Sequence, residues 1–113
     1  MNQARSLHFR AFARRPSELL AAVEFGPREV RGRLVDLGLG GAGLIMPEPV
    51  PEGERVHLFL HLPQLWDPLR IEAEVAWCDM SAGAVNTRAG LRFVAPSGRA
   101  LRLIAEVLTG IAT

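Results

Sequence analysis

Apolar and polar residues alternate with a period of two along most of the chain. Because side chains on a strand point to opposite faces in turn, this alternation predicts half-buried β-strands. Four predicted strands follow this alternation: Leu19–Phe25, Arg55–Leu62, Leu69–Asp79 and Thr87–Val94. Val30–Leu37 and Gly43–Met46 complete a set of about six. Segments rich in proline and glycine lie between them and indicate turns. Short antiparallel strands at this spacing favour a sandwich or a small closed barrel.

The Leu69–Asp79 segment has the clearest alternation. Arg70, Glu72 and Glu74 occupy alternate positions. The positions between them are apolar and predict one inward face, made of Ile71, Ala73, Val75 and Trp77.

The period changes near the C-terminus. Leu101, Ile104, Leu108 and Ile111 follow one another at steps of three, four and three residues, which places them on one face of a helix. Ser97 is suited to cap its first turn. We predict a helix over residues 97–111 that packs this stripe on one end of the barrel; a helix that binds a partner is the alternative.

Length and composition allow one globular domain. The chain has 113 residues, of which 49% are hydrophobic and 22% charged. The single cysteine, Cys78, excludes a framework of internal disulfides. No apolar run approaches the ~18 residues of a membrane span, and the N-terminus lacks the apolar stretch of a signal peptide. We therefore expect the protein in the cytoplasm.

Charge is balanced overall but unevenly placed. All 13 basic residues are arginine, and the net charge is +1. The first 15 residues carry four arginines and no acid, whereas the other 98 residues carry nine arginines and 12 acids. A basic arm on a mildly acidic body suggests an anionic partner that the arm meets. A solvated N-terminus is the alternative.

Two short motifs occur together in this sequence. Arg10-Ala11-Phe12-Ala13-Arg14 reads R-x-x-x-R and is followed by Arg15, and Asp36 begins a glycine-rich segment 22 positions after Arg14. This pair resembles the signature of PilZ domains, bacterial receptors for cyclic di-GMP, which is R-x-x-x-R followed by (D/N)-x-S-x-x-G. Trp77 at a strand end and Gly90-Leu91-Arg92-Phe93 in the next strand are also similar to the family.

The resemblance implies an all-β fold: a six-stranded antiparallel β-barrel with a C-terminal α-helix. We expect one domain over residues 1–113, with a basic arm at 1–17, the barrel at 18–95 and the helix at 97–111. The implied function is that of a stand-alone cyclic di-GMP binding adaptor in signalling, acting on an effector protein in motility or pilus regulation. It implies no catalysis, no metal and no cofactor other than this ligand. The implied ligand-binding residues are Arg10, Arg14, Arg15, Asp36, Gly38 and Gly41.

These residue types suit the ligand, which has two phosphodiester charges and two guanines. The planar arginine side chain donates paired hydrogen bonds to phosphate or to guanine O6 and N7, and it stacks on bases. Asp36 can accept hydrogen bonds from guanine N1–H and the amino group. The motif glycines permit close approach of the backbone and positive φ.

Gly38 departs from the family pattern, which has serine at this position. The lost neutral hydrogen bond is worth roughly 0.5–1.5 kcal/mol, or about tenfold in affinity. Gly38 therefore also permits a second hypothesis, in which the chain is a PilZ-like protein-interaction adaptor that does not bind cyclic di-GMP.

Other candidate sites are weaker. A barrel that binds nucleic acid usually stacks bases on exposed aromatic residues, but here only 6% of residues are aromatic and the body is acidic. His57 and His61 lie about 13 Å apart on an extended strand, too far to share one zinc ion. Trp66, between Pro63 and Pro68, is expected to pack as a loop anchor, with an exposed partner contact as the alternative.

Overall fold

A computed structural model describes residues 19–80 and 86–110. The six strands are β1 Leu20–Phe25, β2 Arg28–Leu37, β3 Gly41–Met46, β4 Arg55–Leu60, β5 Leu69–Asp79 and β6 Thr87–Phe93. One helix, α1, spans Gly98–Thr109 within the described residues. The predicted strands and helix are confirmed, and half of their ends differ by one or two residues.

The strands close into a barrel in the order β1-β2-β3-β6-β5-β4. Every neighbouring pair is antiparallel. The barrel interior is filled by alternate apolar residues of all six strands; its fully enclosed members include Val23, Leu34, Leu44, Met46, Leu58, Leu60, Val75 and Leu91. The predicted six-stranded antiparallel β-barrel is thus confirmed.

Two β-bulges interrupt the alternation. Between β2 and β3, Leu34 pairs with Leu44 but Asp36 pairs with Gly43, so Val35 is an extra residue. Between β5 and β6, Val75 pairs with Leu91 but Trp77 pairs with Gly90. A bulge adds one unpaired residue and exchanges the inward and outward positions that follow it.

The second bulge corrects the predicted position of Trp77. Val75 and its partner Leu91 point into the core. Ala76 is the extra residue, so the next paired residue, Trp77, shares the outer surface with Gly90, and Cys78 packs against the core. Trp77 therefore does not continue the inward face of Ile71, Ala73 and Val75.

Both ends of α1 are capped. Ser97 Oγ accepts a hydrogen bond from the backbone N–H of Ala100 at 3.0 Å, which confirms Ser97 as the N-cap. Gly110 adopts φ 83° and ends the helix. Ile104 is fully buried, as predicted, but Leu101 and Leu108 are only half-buried, and Ile111 lies outside the described residues. The buried side of the helix is Ala100, Leu103, Ile104 and Val107.

The loop between β4 and β5 is fixed to α1 by Gln64. Its Nε2 donates to the carbonyl oxygen of Leu103 at 3.0 Å and to Glu106 Oε1 at 3.3 Å. Leu65 packs against the core, whereas Trp66 has a relative accessibility of 102%. The expectation that Trp66 anchors the loop is wrong, because Gln64 and Leu65 do so and the indole is left in solvent.

Among the described residues, no helix combines the length and the apolar character that a bilayer crossing requires.

Candidate functional site

Asp36 lies on the outside of the barrel, near the end of β2. The bulge at Val35 brings it there, since Leu34 and Leu37 on either side both point into the core. Its side chain leans over Gly43 of β3: a Cβ atom at Gly43 would lie 3.3 Å from both Cβ and Oδ2 of Asp36. Glycine at position 43 thus leaves room for the carboxylate to rest against the neighbouring strand.

The predicted site residues Gly38 and Gly41 form the base of the tight turn between β2 and β3. The backbone N–H of Gly38 donates to the carbonyl oxygen of Gly41 at 2.9 Å, and Leu39 and Gly40 form the tip. Among the described residues, the glycines with positive φ are Gly26, Gly53 and Gly110, none of which lies in this turn. The motif glycines therefore do not adopt the positive φ that glycine permits; what they provide is the absence of a side chain.

Four residues at the same level of the barrel cross its outer surface from β2 to β5. The pairings Asp36 with Gly43, Gly43 with Gly90 and Gly90 with Trp77 define this glycine row. Strands in a sheet lie about 4.8 Å apart, so the row is roughly 14 Å long. Its two middle members have no side chain, and its two ends are a carboxylate and an indole.

Trp77 lies directly over Gly90. A Cβ atom at Gly90 would overlap Nε1 of the indole and lie 2.6 Å from Cε2. Residue 90 must therefore be glycine if the indole is to lie flat on the sheet. Alternation does not predict Trp77 and Gly90 as site residues. The available signal was the run Val75-Ala76-Trp77-Cys78, in which polar residues stop alternating after Glu74.

Two exposed arginines border the glycine row. On the outer surface next to it, Ile45 of β3 pairs with Arg33 of β2 on one side and with Arg88 of β6 on the other. Neither arginine forms an ion pair with any residue that the structure describes. On the opposite border, Arg92 is held by an ion pair with Glu74. Asp79 of β5 pairs with Arg88 at the end of the same border, so this long side of the row carries two arginines and one acid.

The structure brings together only part of the predicted site. Asp36, Gly38 and Gly41 lie on the β2–β3 hairpin, beside the glycine row. Arg10, Arg14 and Arg15 lie outside the described residues. A carboxylate and an aromatic face, both lying low on the barrel surface, suit a planar base that donates hydrogen bonds, and nearby guanidinium groups suit its phosphates.

The other candidate groups do not converge on a site. Within residues 19–80 and 86–110, no three histidine, cysteine or acidic side chains come together as a metal ion requires. His57 Nε2 lies 3.1 Å from a guanidinium nitrogen of Arg70, whereas His61 belongs to the loop after β4.

Comparison with solved structures shows what this fold is similar to. YcgR from Escherichia coli, in complex with c-di-GMP, has a TM-score of 0.66 and 22% identity over 82% of the chain; the chain spans only 40% of that protein. The isolated PilZ domain of YcgR with c-di-GMP has a TM-score of 0.66 and 21% identity, with 81% of the chain and 79% of the domain covered.

A third structure is the Bacillus subtilis inhibitor of motility MotI, with a TM-score of 0.70 and 16% identity; 90% of the chain and 50% of MotI are covered. No curated protein matches the chain. The family model of the PilZ domain matches residues 8–110. Since that match extends over nearly the whole sequence and the barrel has the same fold as solved PilZ domains, the chain belongs to the PilZ domain family.

Proposed function

We propose that this protein is a cyclic di-GMP receptor that acts as a signalling adaptor rather than as an enzyme. The observation that carries the proposal is the glycine row: Asp36 and Trp77 flank two glycines on the outer surface of the barrel. YcgR and its PilZ domain, which share this fold, were solved with c-di-GMP.

In this proposal one guanine lies along the glycine row. Asp36 accepts hydrogen bonds from the guanine N1–H and amino group, and the indole of Trp77 stacks on a base. Glycine at positions 43 and 90 lets the side chains of Asp36 and Trp77 lie flat against the strands, so that both face the proposed ligand.

The phosphates are contacted by arginine. Arg10, Arg14 and Arg15 are the proposed main contacts, and Gly38 and Gly41 hold the hairpin against which they close. Each charge-assisted hydrogen bond contributes roughly 1.5–3 kcal/mol and offsets the entropy lost when the arm is ordered. The arm ordered by the ligand would then change the surface that an effector protein meets. MotI, which has this fold, is an inhibitor of motility, and this supports an effector in motility.

Isothermal titration of the full chain with cyclic di-GMP tests the proposal. We expect saturable binding that Asp36→Ala and Trp77→Ala each weaken, whereas Asp67→Ala, a change of an exposed acid in the β4–β5 loop, leaves it unchanged. GMP at the same guanine concentration is the ligand control. No heat from cyclic di-GMP at high micromolar concentration would exclude the receptor role.

One observation favours a second candidate function. Gly38 supplies no hydroxyl where the family pattern has serine, and this suits an adaptor that binds its partner without nucleotide. The two candidates differ in whether partner binding responds to cyclic di-GMP.

A further inference from the structure

A second outer surface lies across β2, β1, β4 and β5, away from the glycine row. One row of paired residues crosses it: Arg31 with Ala22, Ala22 with Phe59, and Phe59 with Arg70. These residues alternate with the core residues Val23, Leu58 and Leu60 along their strands, so they point outward. An apolar centre is thus bounded by an arginine on each side.

The adjacent row has the same character. Arg33 of β2 pairs with Leu20 of β1, and the backbone N–H of His61 donates to the carbonyl oxygen of Leu20 at 3.1 Å. Leu20 is an exposed large apolar residue, with a relative accessibility of 56%. The basic–apolar face is defined here by Leu20, Ala22, Arg31, Arg33, Phe59, His61 and Arg70.

The arginines of this face differ from others on the barrel. Arg28, Arg55 and Arg92 each form an ion pair with a glutamate. In the described part of the chain, Arg31 and Arg33 form no ion pair, and the guanidinium group of Arg70 contacts only His57 Nε2, at 3.1 Å. The face therefore offers three guanidinium groups that no carboxylate of the barrel neutralises.

Its centre is more apolar than a solvated strand surface. Leu20 is exposed and Phe59 is half-buried, so these two side chains form the accessible apolar centre, whereas Ala22 between the strands is itself buried. An apolar centre with a polar, arginine-rich rim is the usual anatomy of a protein interface. Aromatic and arginine side chains are also enriched in such interfaces relative to the rest of a protein surface.

Acidic residues limit the face on one side. The next row consists of Glu29, Glu24, His57 and Glu72. Glu72 is paired with Arg55 at 3.1 Å, and Glu24 lies 3.8 Å from His57. A continuous polyanion or a flat anionic bilayer laid over the basic–apolar face would also meet these carboxylates, and repulsion would oppose it. A narrow acidic partner avoids them.

We propose that the basic–apolar face binds an acidic amphipathic helix of a partner protein. Three strand spacings, or roughly 14 Å along the curved barrel surface, separate Arg31 from Arg70, so a helix about 10–12 Å wide that lies over Phe59 has one arginine on each flank. Its apolar stripe covers Leu20 and Phe59, and its carboxylates pair with the arginines. The assignment of this helix to the effector rests on the proposed function. The docking of the helix on the basic–apolar face does not require nucleotide.

The test uses the full chain and a fluorescent synthetic peptide with leucine on one helical face and glutamate on the other. We expect saturable binding by fluorescence anisotropy, and weaker binding of the same peptide with glutamine in place of glutamate. The double change Arg31→Gln with Arg70→Gln weakens binding at least about tenfold. The matched control, Arg99→Gln with Arg102→Gln, alters two exposed arginines of α1 and leaves binding unchanged.

Amide shifts in NMR spectra locate the peptide. Shifts at Leu20, Ala22 and Phe59 support the proposal. Leu20→Ser is expected to weaken peptide binding and to leave the protein folded, because Leu20 is exposed. Shifts centred on Gly43 and Gly90, or equal losses in both double variants, overturn it. Tighter binding to phosphatidylglycerol vesicles or to single-stranded DNA than to the peptide would overturn it in favour of a lipid or nucleic acid.

Cyclic di-GMP titration of the Arg31/Arg70 variant separates the two proposals, since nucleotide binding is expected to be unaffected.

Discussion

The glycine row and the basic–apolar face are built on one barrel and share its core, yet they present opposite kinds of surface. In the glycine row, two residues without side chains let the side chains of Asp36 and Trp77 lie flat against the strands. On the basic–apolar face, Phe59 and the arginines point outward from the strands around Ala22. A flat surface of carboxylate and indole suits a small planar ligand, whereas a surface of long side chains suits another protein.

Strand β2 belongs to both surfaces. Arg33 pairs with Leu20 on one side and with Ile45 on the other, so it lies between the two. The bulge at Val35 follows it directly and brings Asp36 to the outside. The comparison therefore predicts that changes in one surface leave binding at the other intact, except at Arg33.

The largest expected effect is a loss of affinity for cyclic di-GMP when an arginine of the N-terminal arm is replaced. Arg10→Ala or Arg14→Ala removes a charge-assisted contact worth roughly 1.5–3 kcal/mol, which lowers the affinity for cyclic di-GMP by about ten- to 150-fold. Arg5→Ala removes the same charge outside the motif and costs much less. Calorimetry of the three variants measures the difference. Equal losses of affinity in all three variants would mean that only the net charge of the arm matters. Peptide binding at the basic–apolar face serves as the internal control and should be the same in all three.

Gly90→Ala tests the geometry of the glycine row. The added Cβ overlaps the indole of Trp77 and displaces it, and overpacking of this kind costs about 1–3 kcal/mol in the free energy of unfolding. Cyclic di-GMP binding weakens as well, because the stacking surface moves. Urea unfolding and calorimetry measure both effects.

Gly98→Ala is the matched control, because nothing lies within 4 Å of the position that its Cβ would occupy and it begins α1. Its stability should stay within about 0.5 kcal/mol of the original protein. If Gly90→Ala behaved like this control, Trp77 would not be held by the absence of a side chain at position 90.

Gly38→Ser separates the two candidate functions. The serine restores the hydroxyl of the family pattern, and position 38 has no left-handed backbone that would strain it. A working site gains about tenfold or less in affinity for cyclic di-GMP, the value of one neutral hydrogen bond. A change from undetectable to strong binding would instead identify a site that has lost its ligand. Peptide binding is expected to be the same before and after the change.

The smallest effect is expected at Trp66. Its indole is fully in solvent while Gln64 and Leu65 hold the loop, so Trp66→Ala should alter the free energy of unfolding by less than about 0.5 kcal/mol. The variant leaves Trp77 as the only tryptophan. Its fluorescence then reports directly on the glycine row: it should change on addition of cyclic di-GMP and stay constant on addition of the acidic peptide.

Alternation predicted four of the six strands, because one face of each enters the core, and Val30–Leu37 and Gly43–Met46 completed the set. It was insufficient at the two bulges, where one inserted residue exchanges the faces. In β2 the three-residue step from Leu34 to Leu37 was a readable sign of the insertion, and it accounts for Asp36 on the outside. In β5 the run of apolar residues from Val75 to Cys78 hid the exchange, and Trp77 was assigned to the wrong face.

Helix α1 also shows that periodicity predicts an element more accurately than it predicts the burial of each residue. The period of Leu101, Ile104 and Leu108 predicted a helix correctly, but the depth of each residue depends on the barrel end against which it lies. The buried side is rotated toward Ala100, Leu103 and Val107. Likewise, nothing local indicates that Trp66 is exposed, because the contact that holds its loop joins Gln64 to residues about 40 positions away.

Closure of the described barrel determines how a partner can recognise this protein. Each of its six strands has a hydrogen-bonded neighbour on both sides over part of its length, so the barrel has no free edge strand. A partner that joins the sheet as a whole extra strand, as in β-augmentation, therefore has no edge strand to pair with. Recognition must come from outward-pointing side chains, and single substitutions on the surface can change the choice of partner while the backbone framework stays the same.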